Sequence, residues 1–343
     1  MKNKIIVTGG CGYIGAHTVI ELITHNFEVL ILDNLSNATE KTLERIQKIT
    51  GIKPRFTEID LKDAVKTNAI FSKHQDAIAV IHFAAHKAVG ESVDNPIKYY
   101  KNNLYSLLNT LSAQRKNGIQ NFIFSSSATV YGTPKTLSIT EENETQRPFS
   151  AYGNTKKIAK EILEDLISTD KTFSAISLRY FNPIGAHDSG LIGELPSGIP
   201  NNLMPYITQT AAGIREKLMV YGMDYPTKDG TPVRDYIHVV DLAKAHVAVT
   251  RLLEKKQEKA FEVYNLGTGV GFSVLKIIKS FEAVSGIALN YEITDRRPGD
   301  VPQLFASTAL VKEKLGWSAE KNLDAMIRSS WEWEQNVRSI KNL

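Results

Sequence analysis

Ile5–Ile6–Val7–Thr8–Gly9–Gly10–Cys11–Gly12–Tyr13–Ile14–Gly15 joins a short apolar run to a glycine cluster. The run is β-branched and reads as a strand buried on both faces of a parallel sheet. Tyr13 to Ile23 reads as the helix that follows. The glycines between them have separate duties: Gly9 permits the tight turn, Gly12 lets backbone approach a pyrophosphate, and Gly15 allows close helix packing. The helix N-terminus adds unpaired N–H groups and a field that favours phosphate. Glycine clusters elsewhere mark nothing more than a turn. Between a strand and a helix, this one predicts a dinucleotide site.

The pattern continues outward from that unit. Glu28 to Leu32 is a second strand that ends at Asp33, 18 residues after Gly15. A carboxylate there can accept both hydroxyls of an adenosine ribose and repels a 2′-phosphate, which favours NAD over NADP. The alternative is an Asp that caps a turn with Asn34 and Ser36. Asp60–Leu61 likewise reads either as a contact beside the adenine or as a surface turn. Helices are expected over Leu43–Ile49, Pro96–Arg115 and Ala151–Leu166, and strands over Ala77–Phe83, Asn121–Ser125 and Ser174–Leu178. Such alternation predicts an α/β fold: a Rossmann-type doubly wound parallel sheet over residues 1–182. Beyond Asn182 the chain turns Gly/Pro-rich, at Gly185–Pro200 and Gly222–Pro232. Residues 183–343 are expected to form mainly a smaller mixed α/β substrate domain, with 235–255 packing back on the first.

Composition narrows the partners. The chain has 343 residues, 42% hydrophobic and 23% charged, with 41 basic and 37 acidic side chains for a net charge of +4. No dense basic block occurs, and Glu254–Lys259 mixes its signs as a solvated helix end or loop does. Nucleic acid is therefore not an expected partner, whereas a modest positive field suits an anionic small substrate. Cys11 is the only cysteine, which rules out an intrachain disulfide and suits a reducing cytoplasm. The N-terminus enters a strand directly, and no apolar run reaches membrane-spanning length. His25, His74 and His246 lack the clustered spacing of metal ligands, so no metal is expected.

Tyr152–Gly153–Asn154–Thr155–Lys156 carries the chemistry. A lysine four residues after a tyrosine lies one helical turn along on the same face. Its ammonium favours the phenolate, so a phenol with an ordinary pKa of about 10 is expected to act as a base near neutrality. Phe124–Ser125–Ser126–Ser127–Ala128–Thr129–Val130–Tyr131–Gly132 is a strand followed by a hydroxyl-rich turn. A serine there can hydrogen-bond a substrate oxygen, although serines also solvate ordinary strand ends.

Glycine fingerprint, serine turn and Tyr-x-x-x-Lys pair together resemble the extended short-chain dehydrogenase/reductase family, and most closely its UDP-hexose 4-epimerase branch. The resemblance runs almost end to end, through His82–Ser92, Leu178–His187, Gly198–Pro205, Asp229–Val239 and Arg297–Pro298–Gly299–Asp300. It implies that Tyr152 is catalytic base and acid, that Lys156 tunes it and binds the nicotinamide ribose, and that Ser127 binds the sugar 4-oxygen. By the same resemblance Gly9, Gly12, Tyr13, Ile14, Gly15, Asp33, Asn34, Asn37, Asp60, Leu61, Phe83, Ala84, Lys87, Asn102 and Tyr180 line the NAD site. Asn182, Asn202 and Leu203 approach the substrate, while Arg234 and Arg297 hold a uridine diphosphate with Tyr236 and Asp300 nearby. Guanidinium groups suit phosphate because they make directed, charge-assisted bonds; a surface salt bridge of Arg234 with Asp235 is the competing reading.

The implied reaction removes the 4-hydroxyl proton and a hydride from C4, turns the resulting 4-keto sugar over, and returns the hydride to the other face, so that NAD is regenerated. Leu304 occupies the position that borders the sugar 2-substituent. Being smaller than the tyrosine of some relatives, it points to acceptance of UDP-GlcNAc and UDP-GalNAc. Carboxylated nucleotide sugars are a rival substrate class. A 4,6-dehydratase is disfavoured because Ser127–Ala128–Thr129–Val130 lacks an acidic pair. A dinucleotide sensor without turnover is disfavoured by the intact Ser127, Tyr152 and Lys156. The resemblance further implies a homodimer through a four-helix interface built from the helices at Pro96–Arg115 and Ala151–Leu166.

Overall fold

The computed structural model describes residues 3–134, 136–255, 260–297 and 300–341. The mixed-charge residues 256–259 and the Pro298–Gly299 centre of the Arg297–Asp300 motif lie outside them.

In chain order the first elements are β1 (Lys4–Thr8), α1 (Tyr13–Thr24), β2 (Glu28–Asp33), α2 (Lys41–Thr50), β3 (Arg55–Glu58), α3 (Ala64–Phe71) and β4 (Ala77–His82). There follow α4 (Val89–Asp94), α5 (Pro96–Lys116), β5 (Asn121–Ser127), a short 3-10 turn (Ala128–Tyr131), α6 (Ala151–Thr169) and β6 (Ser174–Tyr180). Next come β7 (Asn182–Ile184), α7 (Leu203–Ala211), β8 (Leu218–Tyr221), β9 (Val233–His238), α8 (Val239–Lys255) and β10 (Phe261–Leu266). The last are β11 (Gly271–Ser273), α9 (Val274–Ser285), β12 (Tyr291–Thr294), β13 (Gln303–Leu304), α10 (Ala309–Leu315) and α11 (Leu323–Lys341).

Seven strands form the main sheet in the order β10–β6–β5–β4–β1–β2–β3. Neighbours from β3 through β6 are parallel. Chain order reverses between β1 and β4, and in such sheets the crevice for a ligand opens at the carboxyl ends of the strands on either side of that point. Ile5, Ile6 and Val7 are fully buried, as a strand covered on both faces must be. Packed on the sheet is one apolar cluster that includes Ile6, Leu30, Phe71, Leu107, Phe122, Leu163 and Phe173.

Two compact units result: residues 1–132, 144–180 and 243–264, and residues 133–143, 181–242 and 265–343. In the second unit β9 is central, pairing antiparallel with β11 and parallel with β7 and β13. Its own core gathers Ile207, Val220, Tyr236, Ile277, Phe281 and Ile327. Trp331 packs edge-on against Phe281, and the Trp333 indole donates to the Glu194 carbonyl at 2.9 Å. Both tryptophans are packing residues.

Three features depart from the sequence reading. β3 and α3 were not anticipated, because β3 is a half-exposed sheet edge (Arg55–Glu58) without an apolar run. β10 joins the main sheet beside β6 from far along the chain, a long-range pairing with no local signature. β5 and β6 each run two residues beyond their expected ends, which puts Ser127 in register with Tyr180. That extension matters for the site.

Candidate active site

Within the first unit, the glycine turn has the geometry its sequence demands. Gly9 adopts φ +69°, and a Cβ on it would lie 2.7 Å from the Ala84 nitrogen. A Cβ on Gly15 would fall 2.3 Å from the Gly9 carbonyl oxygen, so α1 reaches the turn only with glycine there. Gly12 is the N-cap of α1 and offers no side chain to its first-turn N–H groups, which leaves them for an anion. Phe83 donates its N–H to the Thr8 carbonyl at 2.9 Å, which carries the β4 loop alongside the turn. These features fit a dinucleotide pyrophosphate.

Asp33 makes turn contacts of the kind its alternative reading expected. Its carboxylate accepts from the N–H of Cys11 at 3.0 Å and of Leu35 at 2.9 Å, so it braces the glycine turn. Burial raises its pKa, and the backbone N–H groups of Leu35, Cys11 and Asn34 oppose that rise. Asn34, Asn37 and Asp60 lie on exposed loops beyond the carboxyl ends of β2 and β3. Asp60 accepts from the Lys62 N–H at 3.0 Å, the turn contact that was its second reading, and Leu61 is buried. Phe83, Ala84 and Lys87 follow β4; Phe83 packs at 5.0 Å between ring centroids on His246, and Lys87 is exposed. Asn102 is half-buried on α5.

The end of β5 is the hub of the polar site. Ser127 caps the 3-10 turn, its hydroxyl oxygen accepting from the Thr129 N–H at 3.3 Å and the Thr129 hydroxyl at 3.0 Å. Its own proton is therefore directed elsewhere, and a hydrogen bond links it to the Tyr152 phenol. Ser150 caps α6 by accepting from the Gly153 N–H at 3.1 Å, which fixes the turn that carries Tyr152. Glycine is required at 153, since a Cβ would lie 2.7 Å from Pro148 and 3.2 Å from the Thr129 hydroxyl. Lys156 donates to the Ser125 carbonyl at 2.6 Å and stands 5.8 Å from the Tyr152 ring centroid. Tyr180 bonds His246 Nε2 at 2.6 Å and the Ser125 side chain. Thr129, Ser125 and His246 were missed as site residues; the Ser-x-Thr spacing is the one signal that pointed to any of them.

Electrostatics overturn one expectation. Burial pushes the Tyr152 phenol up to about 12, with the Ser127 bond opposing, and burial pulls Lys156 down to about 7. Desolvation dominates both groups, and Lys156 Nζ spends its hydrogen bond on the Ser125 carbonyl. The phenol is not made acidic by Lys156 in this arrangement; the hydrogen bond from Ser127 is what favours its anion.

The second unit holds the remaining expected residues. Arg234 does not pair with Asp235. It donates to Asp300 at 3.1 Å, to the Val301 carbonyl at 2.8 Å and to the Val233 carbonyl at 2.9 Å. Neighbours along a strand face opposite ways, and Asp235 instead accepts from Thr268 N–H and hydroxyl, Gly269 N–H and Ala306 N–H, all within 3.2 Å. Arg297 meets the other Asp300 oxygen at 3.1 Å and remains about half exposed. Two guanidinium groups thus converge on one carboxylate. Tyr236 is buried, and burial pushes its phenol up to about 12 against the two arginines. Asn182 donates to the Asp235 carbonyl at 3.0 Å, and Asn202 to the Glu194 carboxylate at 2.7 Å. Leu203 opens α7, and Leu304 pairs with Arg234 in the β13–β9 ladder.

Comparison with known proteins agrees with this construction. A family model described as GDP-mannose 4,6 dehydratase matches residues 6–330. The chain is 51% identical over 343 residues to the UDP-glucose 4-epimerase of Bacillus subtilis, covering 98% of this chain and 99% of that protein. It superposes with TM-score 0.93 and 47% identity on the UDP-glucose 4-epimerase from Bifidobacterium longum in complex with NAD+ and UDP, over 97% of this chain and 98% of that one. The UDP-Glc/GlcNAc 4-epimerase of Campylobacter jejuni aligns with TM-score 0.84 and 35% identity over 97% of this chain and 99% of that one. With such identity over nearly its whole length, the chain belongs to the UDP-glucose 4-epimerase family of extended short-chain dehydrogenase/reductases.

Proposed function

We propose that Tyr152, Ser127 and Lys156 carry the reaction of this NAD-dependent isomerase, the reversible interconversion of UDP-glucose and UDP-galactose at C4. The observation that supports those roles most directly is the Ser127–Tyr152 hydrogen bond at the carboxyl end of β5, with Ser127 in register with Tyr180. NAD, when bound, accepts and returns the C4 hydride. The first turn of α1 would hold its phosphates, Asp33 its adenosine ribose, and Lys156 and Tyr180 its nicotinamide end. Ser127 hydrogen-bonds the sugar 4-oxygen while Tyr152, reacting as its phenolate, takes up the 4-hydroxyl proton and later returns it. Lys156, which donates to the Ser125 carbonyl, would hold the nicotinamide ribose.

Arg234 and Arg297 hold the diphosphate, which competes with Asp300 for the same two guanidinium groups. A nucleotide anchored there leaves the hexose, contacted by Asn182, Asn202 and Leu203, free to present either face. Leu304 leaves room for a 2-acetamido group, so UDP-GlcNAc and UDP-GalNAc are further substrates. Dehydration lacks an acidic group beside Ser127, where Thr129 stands. Two copies pair through α5 and α6; the outward face of α5 exposes Ile97, Tyr105 and Leu108, which supports that interface. A single buried cysteine suits a cytoplasmic setting, and no helix among the described residues is long and apolar enough to cross a membrane.

The deciding experiment incubates the purified chain with UDP-galactose and no added reductant, and follows C4 configuration by NMR. UDP-glucose should accumulate to equilibrium. Tyr152→Phe should lose 10²-fold or more in rate, roughly the contribution of a positioned acid–base group, while still binding NAD. Configuration unchanged with the parent chain would refute the activity; an undiminished Tyr152→Phe would refute the role.

A further inference from the structure

Asn103 is a buried residue of α5 that forms none of the contacts described so far. Its amide closes on the backbone of His86 in both directions. The His86 N–H donates to Oδ1 at 2.8 Å, and Nδ2 donates to the His86 carbonyl at 3.1 Å. Nδ2 also donates to the Thr155 hydroxyl oxygen at 3.1 Å, and the single proton of that hydroxyl goes to the Tyr152 carbonyl at 2.7 Å. Every direction is forced, because carbonyls can only accept and the Thr155 proton is already committed. A carboxylate at 103 could not donate either bond, and an aliphatic side chain could make none of them.

Three elements meet in this relay: the loop after β4, the middle of α5 and the first turn of α6. The loop bears Phe83, Ala84 and Lys87, and the turn bears Tyr152. We infer that Asn103 and Thr155 are positioning residues that hold the cofactor-side loop and the backbone of Tyr152 in one register, so that phenol and sugar carbon meet the nicotinamide at reacting distance. The inference rests on the roles proposed above for the loop and for Tyr152. Fully satisfied buried networks of this kind rigidify what they join, and a displacement of about 1 Å at a reacting centre costs up to about 10²-fold in rate.

Thr155→Val removes both bonds of that hydroxyl, the one from Asn103 and the one to Tyr152, while it leaves the Asn103–His86 pair in place and preserves side-chain volume. It should lower kcat about tenfold, with KM for UDP-galactose and the NAD content of the purified protein unchanged, because nucleotide contacts lie on other residues. Thr155→Ser retains the hydroxyl and should restore kcat to within about twofold of the parent. Asn103→Asp keeps the acceptor for His86 and loses both donated bonds; combined with Thr155→Val it should be little slower than alone, since both changes break one chain. Equal kcat in parent and Thr155→Val, a Thr155→Ser as slow as the Val variant, or losses that multiply in the double variant would overturn the inference. Should Val at 155 prevent folding, the comparison of Asn103→Asp and Thr155→Ser with the parent decides it. A parent chain that inverts nothing would fault the proposed function instead.

Discussion

Tyr152 and Lys156 show how burial changes a motif's chemistry. One turn of helix brings the pair together, yet desolvation dominates both, raising the phenol to about 12 and lowering the amine to about 7. A consequence for stability follows. Between pH of about 7 and the unfolded lysine value of about 10.4, the unfolded chain binds the extra proton, so stability should rise with pH across that window. Lys156→Met should flatten this rise, read as melting temperature from pH 7 to 9.5 for both proteins; parallel curves would show that Lys156 is not neutralised on folding. Under the proposed function Leu304 sets the substrate range, a prediction at the same scale. Leu304→Tyr should abolish turnover of UDP-GlcNAc and leave UDP-glucose turnover within a few-fold, measured as parallel rates. A parent chain inactive on the acetylated sugar would remove the premise.

At the scale of elements, the β1–turn–α1 unit has no room for a side chain at Gly9 or Gly15. Gly15→Ala places a methyl 2.3 Å from a backbone oxygen that cannot swing aside. Either α1 or the turn must shift, at a cost of about 1–3 kcal/mol for such overpacking. NAD recovered with the purified protein should fall sharply, along with the melting temperature. Full occupancy would mean that the N-terminus of α1 does not hold the pyrophosphate. The strand–glycine–helix order made this unit legible because its constraints act between residues a few positions apart. β3 was illegible for the complementary reason: its partly exposed edge position needs no apolar run, and only pairing with β2 makes it a strand.

At the scale of the molecule, α5 presents Ile97, Tyr105 and Leu108 outward on one stripe, with Ile97 61% exposed. An isologous pairing of α5 and α6 would cover that stripe. Leu108→Glu should convert a dimer into a monomer in sedimentation velocity, since a carboxylate buried in an apolar interface is costly. Retention of the dimer would move the interface elsewhere. Core packing should be undisturbed, because Leu108 is exposed within one chain and the buried side of α5 is formed by Tyr99, Leu107 and Leu111.

The sequence alone determined the dinucleotide turn, the parallel sheet that carries it, and the spacing that puts Tyr152 and Lys156 on one helical face. Each depends on spacing within one strand, turn or helix, where backbone geometry dictates which side chains share a face. Tertiary structure decided what contact and burial control. It paired Arg234 with Asp300 and turned Asp235 inward to backbone N–H groups. It also brought β10 to the edge of the main sheet and reversed the expected acidity of Tyr152. Those outcomes depend on which distant segments pack together and how much water they exclude, and no local pattern encodes either.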